Sequence, residues 1–272
     1  MIPERAALEP FSALIITGGS SGIGQSFIEL CQKLKPELAI CNLSRRRPDM
    51  IGSKLKLRHL TCDLALPGQI EAALPELEAF LHEEGGTGRI LLVNNSGFGL
   101  YGLFPEPALD QQLEMVDVNV RAVVHLTGRL LPALRKRGGA VVTIASTAAF
   151  QPTPYLAVYG ATKAFVLHWS LALNEELRGS GVRTLAVCPG PTGTRFFERA
   201  GLQQGSVPGV LSQTGEEVVR ESLRALGRGR SQVVSGWKNW LGAAFSSRVP
   251  KPLAARVGAM FLKRWRLDAR AP

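Results

Sequence analysis

A short apolar run, Ala13-Leu14-Ile15-Ile16, stops at Thr17-Gly18-Gly19-Ser20-Ser21-Gly22-Ile23-Gly24. It gives way to a segment with Phe27, Ile28, Leu30, Cys31 and Leu34 at helical spacing. Strand, glycine-rich turn and helix, in that order, make a phosphate-binding element. The glycines let the backbone approach a pyrophosphate closely, and the helix N-terminus offers unpaired N–H groups and a positive dipole end. Gly18, Ser20, Ser21, Gly22, Ile23 and Gly24 are therefore candidate cofactor contacts.

The same alternation continues. Apolar strand segments are predicted at 38–43, 57–61, 89–93, 140–144, 183–187 and 232–234. Helical stripes lie between them at 70–82, from about 108 into a longer helix over 118–136, at 155–178 and at 216–226. Strands alternating with helices imply an α/β fold, a doubly wound, mostly parallel sheet with helices on both faces. Residues 1–236 read as one domain.

The second strand ends in Ser44-Arg45-Arg46-Arg47, with no Asp or Glu between Leu38 and Pro48. In dinucleotide-binding folds an acidic residue here suits a free ribose 2′-hydroxyl, whereas arginine accommodates a 2′-phosphate. Ser44, Arg45 and Arg46 thus favour NADP(H) over NAD(H).

Tyr159 and Lys163 lie four residues apart on a predicted helix and project from one face. A free phenol, with a pKa of about 10, moves protons poorly at neutral pH. A neighbouring ammonium favours the phenolate and lowers that pKa. The spacing alone also fits a packed tyrosine beside a solvated lysine.

Taken together, Thr17-Gly18 through Gly24, Asp63, Asn94-Asn95-Ser96-Gly97, Asn119, Ser146, Tyr159 with Lys163, and Pro189-Gly190 with Thr194 make the chain resemble a short-chain dehydrogenase/reductase of the single-domain Rossmann type. Thirteen positions separate Ser146 from Tyr159, and the resemblance runs from about Ser12 to Gly236. It implies that Tyr159 is the acid/base and that Lys163 lowers its pKa and binds the nicotinamide ribose. Ser146 would hydrogen-bond the substrate oxygen, and Asn119 would help hold a water of the proton relay. Asp63 and Leu64 would meet the adenine, and Asn95, Ser96 and Gly97 would back the adenosine side. Thr194 would reach the carboxamide end, and Pro189, Gly190 and Thr192 would be further cofactor contacts. Ser96 stands where the family often has alanine. The stretches Asn95 to Gly99, Ala148 to Phe150 and Tyr159 to Phe165 resemble the ketoacyl-reductase-like and hydroxysteroid-dehydrogenase-like branch. The resemblance also implies a homo-oligomer, dimer or tetramer, and a substrate lid over 205–215.

Charge separates the C-terminal segment from this core. From Arg228 onward ten cations face one acid, Asp268, so nine of the ten net charges reside there. Residues 237–272 read as a basic helical extension. Trp237, Trp240, Leu241, Ala244 and Phe245 share one helical face, and Leu253, Val257, Met260, Phe261 and Trp265 repeat the pattern. Two helices that pack these residues over a site or subunit edge are the expected arrangement. Docking on an anionic membrane or an acidic carrier is the alternative. No nucleic-acid recognition motif accompanies the charge.

No apolar run reaches the length of a membrane span, and the start lacks an apolar signal core. Cys31, Cys41, Cys62 and Cys188 lack metal-ligand spacing and read as reduced core thiols; no metal site is expected. The expected location is cytoplasmic, with a membrane surface as the alternative. The expected activity is NADPH-dependent reduction of a lipophilic or acyl-type ketone. Oxidation of a small polar alcohol and a catalytically idle NADPH-binding role remain open.

Overall fold

The computed structural model of the protein describes residues 3–49, 57–193, 200 and 212–268, with side chains of the last helix through Lys263. Thr194, the segment 195–197, most of the expected lid, and the side chains of Arg264, Trp265 and Arg266 lie outside the described residues. The strands are β1 (Phe11–Thr17), β2 (Ala39–Ser44), β3 (Leu57–Thr61), β4 (Arg89–Asn94), β5 (Gly139–Ile144), β6 (Val182–Cys188) and β7 (Gln232–Val234). All pair in parallel, in the order β3-β2-β1-β4-β5-β6-β7. A short helix α1 (Glu4–Leu8), which the sequence reading did not anticipate, precedes β1. The remaining α-helices among the described residues are α2 (Gly22–Leu34), α3 (Pro67–Glu83), α4 (Leu109–Val116), α5 (Ala122–Arg137), α6 (Ala157–Glu176), α7 (Gly215–Gly227), α8 (Trp237–Arg248) and α9 (Lys251–Asp268).

The sheet has two buried faces because its central strands are apolar at consecutive positions, not at alternate ones. Along β1, Leu14 and Ile16 point into a core with Phe27, Ile28 and Cys31 of α2 and Val218, Val219 and Leu223 of α7. Ala13 and Ile15 point the other way, toward Ile70, Leu77 and Phe80 of α3 and Leu126, Leu130 and Leu134 of α5. The two-residue period of a strand produces this division. The four cysteines are free and buried.

Strand order reverses at β1, whose neighbours are β2 on one side and β4 on the other. Chain connections leave opposite sides of the sheet there, opening a crevice at the C-terminal strand ends. Thr17 staples the two sides. Its Oγ1 accepts from the backbone N–H groups of Asn95 and Ser96, both at 3.0 Å, while Asn95 Nδ2 donates to the Thr17 and Gly18 carbonyls.

Two local features differ from the sequence expectation. Between α4 and α5 the backbone forms a π-helical turn, Asp117–Arg121, where two successive α-helices were expected. Such a turn inserts one residue into the helical ladder and re-aims the side chains around it. The second difference concerns α8. Asn239 and Ala243 are its buried residues, whereas Trp237, Trp240, Leu241 and Phe245 are exposed. Of the aromatic stripe that was expected to pack, Trp237 and Trp240 face away from the body of the chain, while Phe245, though exposed, borders the cavity. The inward face is lined by small or polar residues, because α8 lies close against the loop after β6. A Cβ added to Gly190 would stand 2.3 Å from Asn239 Cγ.

Candidate active site

The glycine-rich turn closes at Gly18, whose φ of +71° lies in the left-handed region that other residues avoid. Any Cβ there would fall 2.6 Å from Ser96 Oγ, so the turn after β1 and the turn after β4 require the bare backbone. Gly24 lies behind them, against Asn95. Helix α2 then starts with Ser21 at its N-cap and no side-chain cap. Among the described residues no side chain accepts from its first-turn N–H groups, which face a cavity that Gly18, Ser20, Ser21, Gly22 and Ile23 line. That cradle fits a pyrophosphate.

Asn42, inside β2 and fully buried, holds the turn from below. Its Oδ1 accepts from Gly19 N at 2.7 Å, and its Nδ2 donates to Ser44 Oγ at 2.8 Å and lies 3.0 Å from His59 Nδ1. A lone amide in an otherwise apolar strand was the signal that sequence reading passed over. Ser44 Oγ in turn donates to the Arg46 carbonyl. Ser44, Arg45, Arg46, Asp63 and Leu64 all line the same end of the cavity. Arg45 is exposed, with its guanidinium 3.9 Å from Asp63 Oδ2 and 3.4 Å from Glu114 Oε1. Asp63 Oδ1 accepts from Ala65 N, which fixes the turn after β3.

The cavity, about 1450 Å³, continues to the other end of the crevice. Ser146 follows β5 and caps the 3-10 turn Thr147–Phe150, accepting from Ala148 N at 3.1 Å. Tyr159 and Lys163 project from α6 into the same wall. Burial pushes the Tyr159 phenol up to about 12, and its hydrogen bond with the Ser146 side chain pulls the other way. Burial likewise pulls Lys163 down to about 8. Its ammonium donates to the Ile144 carbonyl at 2.8 Å and lies 5.8 Å from the Tyr159 ring centroid. The expected lowering of the tyrosine by the lysine is not what sets its value here: desolvation raises the phenol, with the Ser146 hydrogen bond opposing it, and lowers the amine.

Asn119 stands behind this wall and does not line the cavity. The π turn carries it inward, where Oδ1 accepts from Phe98 N at 3.1 Å and Nδ2 donates to Phe98 O and Thr162 Oγ1. A Cβ on Gly97 would lie 2.9 Å from Asn119 Oδ1 and 3.1 Å from Lys163 Nζ. The glycine is what lets both groups reach the same spot.

Pro189, Gly190 and Thr192 line the cavity beyond Tyr159, and Thr192 Oγ1 donates to the Gly190 carbonyl. Asn239 lies across Gly190, with Nδ2 bonded to the Ser235 carbonyl. Glu221 secures the start of α8 by accepting from Gly236 N at 3.0 Å. The outer wall is apolar and comes from the C-terminal helices through Phe245, Leu253, Val257, Phe261 and Leu262. The basic extension expected over 237–272 thus supplies part of the cavity lining, as helices packed over a site would.

Comparison with known proteins places this geometry. The family model for short chain dehydrogenase matches residues 12–205. The chain is 34% identical over 189 residues to the serine 3-dehydrogenase of Agrobacterium fabrum, covering 67% of this chain and 73% of that protein. It is 28% identical over 222 residues to the very-long-chain 3-oxoacyl-CoA reductase of Macaca fascicularis, covering 78% and 68%. A short-chain dehydrogenase from Sphingobium yanoikuyae, solved in complex with NADPH, superposes with a TM-score of 0.72 at 27% identity, covering 96% of each chain. With the sheet order, the glycine cradle and these likenesses in agreement, the chain belongs to the short-chain dehydrogenase/reductase family and is an NAD(P)-dependent oxidoreductase.

Proposed function

We propose that the protein reduces a lipophilic or acyl-type ketone to the alcohol, with NADPH favoured over NADH. The observation that carries this reading is the pairing of walls. Ser146, Tyr159 and Lys163 form one side of the cavity, and Phe245, Leu253, Val257 and Phe261 form the other. A small polar alcohol would leave that second wall without a partner.

The nicotinamide cofactor supplies the hydride when bound. The chain's own residues handle the proton. Tyr159, kept protonated by burial, gives its hydroxyl proton to the substrate oxygen as negative charge develops there. Ser146 donates a hydrogen bond to the same oxygen. Lys163 holds positive charge beside the phenol as the proton leaves. Asn119 holds the Phe98 backbone in place and, in this reading, helps hold a water that continues the proton relay. At the far end of the cavity Arg45 and Arg46 are the partners for a 2′-phosphate, with Ser44, Asp63 and Leu64 shaping the adenosine end and Asn95, Ser96 and Gly97 behind it. Pro189, Gly190, Thr192 and Thr194 serve the nicotinamide side in this reading.

Members of the family act on small molecules and are generally oligomeric. Exposed Leu109, Leu113 and Val116 on α4, with Phe165 on α6, fit contact with a second copy. Purified protein assayed with NADPH on a soluble dicarbonyl and on ketones of increasing chain length tests the function. Turnover rising with chain length supports it. Tight NADPH binding with no turnover across carbonyls and alcohols would return the protein to a binding role, and preferred oxidation of a short polar alcohol would reverse the substrate class.

A further inference from the structure

We propose that the outward face of α8 and α9 docks on an anionic membrane surface, so that the cavity mouth opens onto the bilayer and takes its substrate from there. The substrate half of this statement rests on the ketone reading above; the docking half does not.

Both helices turn small or polar residues, together with Leu262, toward the body, and leave most of their bulky residues exposed. On α8, Asn239 and Ala243 face inward. On α9, Ala254, Gly258 and Leu262 line the cavity, while the Leu262 carbonyl accepts from the Tyr101 hydroxyl at 2.5 Å. Lys251 Nζ ties the start of α9 to the Phe150 carbonyl at 2.7 Å. Outside, Trp237 is 69% exposed, Phe245 73%, Met260 67% and Phe261 69%, with Trp240, Leu241, Leu253 and Val257 also exposed. Large contiguous apolar patches on single chains mark contact sites. Four of these residues, Phe245, Leu253, Val257 and Phe261, also line the cavity. The exposed patch and the cavity wall are one continuous apolar surface.

Charge selects the partner. Lys238, Arg248, Lys251, Arg256 and Lys263 are exposed on the same two helices, and no Asp or Glu occurs between Glu221 and Asp268. A symmetric contact with a second copy would set these cations against their own equivalents. An anionic lipid surface satisfies them, and its acyl region receives the tryptophan and phenylalanine side chains. The mouth of the cavity would then meet the bilayer where a lipophilic ketone is most concentrated.

The full-length protein is sedimented with vesicles of phosphatidylcholine alone and of phosphatidylcholine mixed with phosphatidylglycerol. Binding should require the anionic lipid and fade as salt is raised. The double variants Arg256→Glu/Lys263→Glu and Trp240→Ser/Met260→Ser should each lower vesicle partitioning by roughly tenfold or more. None of these four residues lines the cavity, so both variants should keep wild-type turnover of a soluble dicarbonyl. Equal sedimentation with both vesicles, or charge reversal without effect, would overturn the proposal. So would self-association that the same variants abolish, or capture by an acidic carrier protein without vesicle binding. Docking without reduction of any ketone would sink the substrate reading and leave the membrane surface standing; reduction without docking would do the opposite.

Discussion

The Lys163 ammonium lies 5.8 Å from the centroid of the Tyr159 ring, one helical turn away, and spends a hydrogen bond on the Ile144 carbonyl at 2.8 Å. Both groups are buried, and burial drives their proton affinities apart, the phenol up to about 12 and the amine down to about 8. A buried pair of this kind keeps the tyrosine protonated and leaves the lysine easily discharged. Each of the following outcomes depends on that arrangement or on the turns that frame it.

Tyr159→Phe keeps the ring and removes the proton donor. Turnover of a soluble dicarbonyl should fall by roughly 10²- to 10⁴-fold, the usual worth of a positioned acid. NADPH affinity, followed by fluorescence titration, should stay within a few-fold of wild type. A variant with wild-type turnover would remove Tyr159 from the mechanism.

Lys163 makes stability depend on pH in a definite direction. Its folded value of about 8 lies below the ordinary value of about 10.4. Between the two, the unfolded chain holds a proton that the folded chain has released, so stability rises with pH across that window. Tyr159 acts oppositely from about 10 to 12, where the unfolded phenol ionises first and stability falls. Lys163→Met should therefore gain on wild type at pH 7 in urea unfolding and lose that gain at roughly 1 kcal/mol per pH unit above pH 8. Parallel profiles for the two proteins would show that the amine is not held in this environment.

Arg45→Asp should weaken NADPH about ten- to a hundredfold and NADH far less, from the loss of a charge-assisted contact and the gain of a repelling one. The new carboxylate would also face Asp63 and Glu114, now without their cation. Paired titrations measure it. Equal wild-type affinities for the two cofactors would dismiss the 2′-phosphate assignment.

Gly97→Ala puts a methyl group within 2.9 Å of Asn119 Oδ1 and 3.1 Å of Lys163 Nζ. Overpacking of that size costs about 1–3 kcal/mol, readable as a shifted urea midpoint. Turnover should drop as well, since the lysine must move. Undiminished turnover would mean that neither group needs its present place.

Some of this was legible in the chain itself. Apolar strands bounded by turns, the bare glycines after β1, and the Tyr159–Lys163 spacing are local signals, set by backbone geometry and periodicity within a few residues. They were enough for the fold class and for most of the residues that meet in the cavity. Distance along the chain hid the rest. Asn119 belongs behind Gly97 because a π turn rotates it there, and that turn carries no pattern distinct from a helix. The proton affinities of Tyr159 and Lys163 follow from burial by segments far away in sequence, which spacing does not encode. Most plainly, the stripe from Trp237 to Phe245 shows that α8 has an apolar side, but periodicity is the same whether that side faces a core or the outside. Only the close approach of Asn239 to Gly190 decided which way the helix turns, because the small inward face alone fits against that loop.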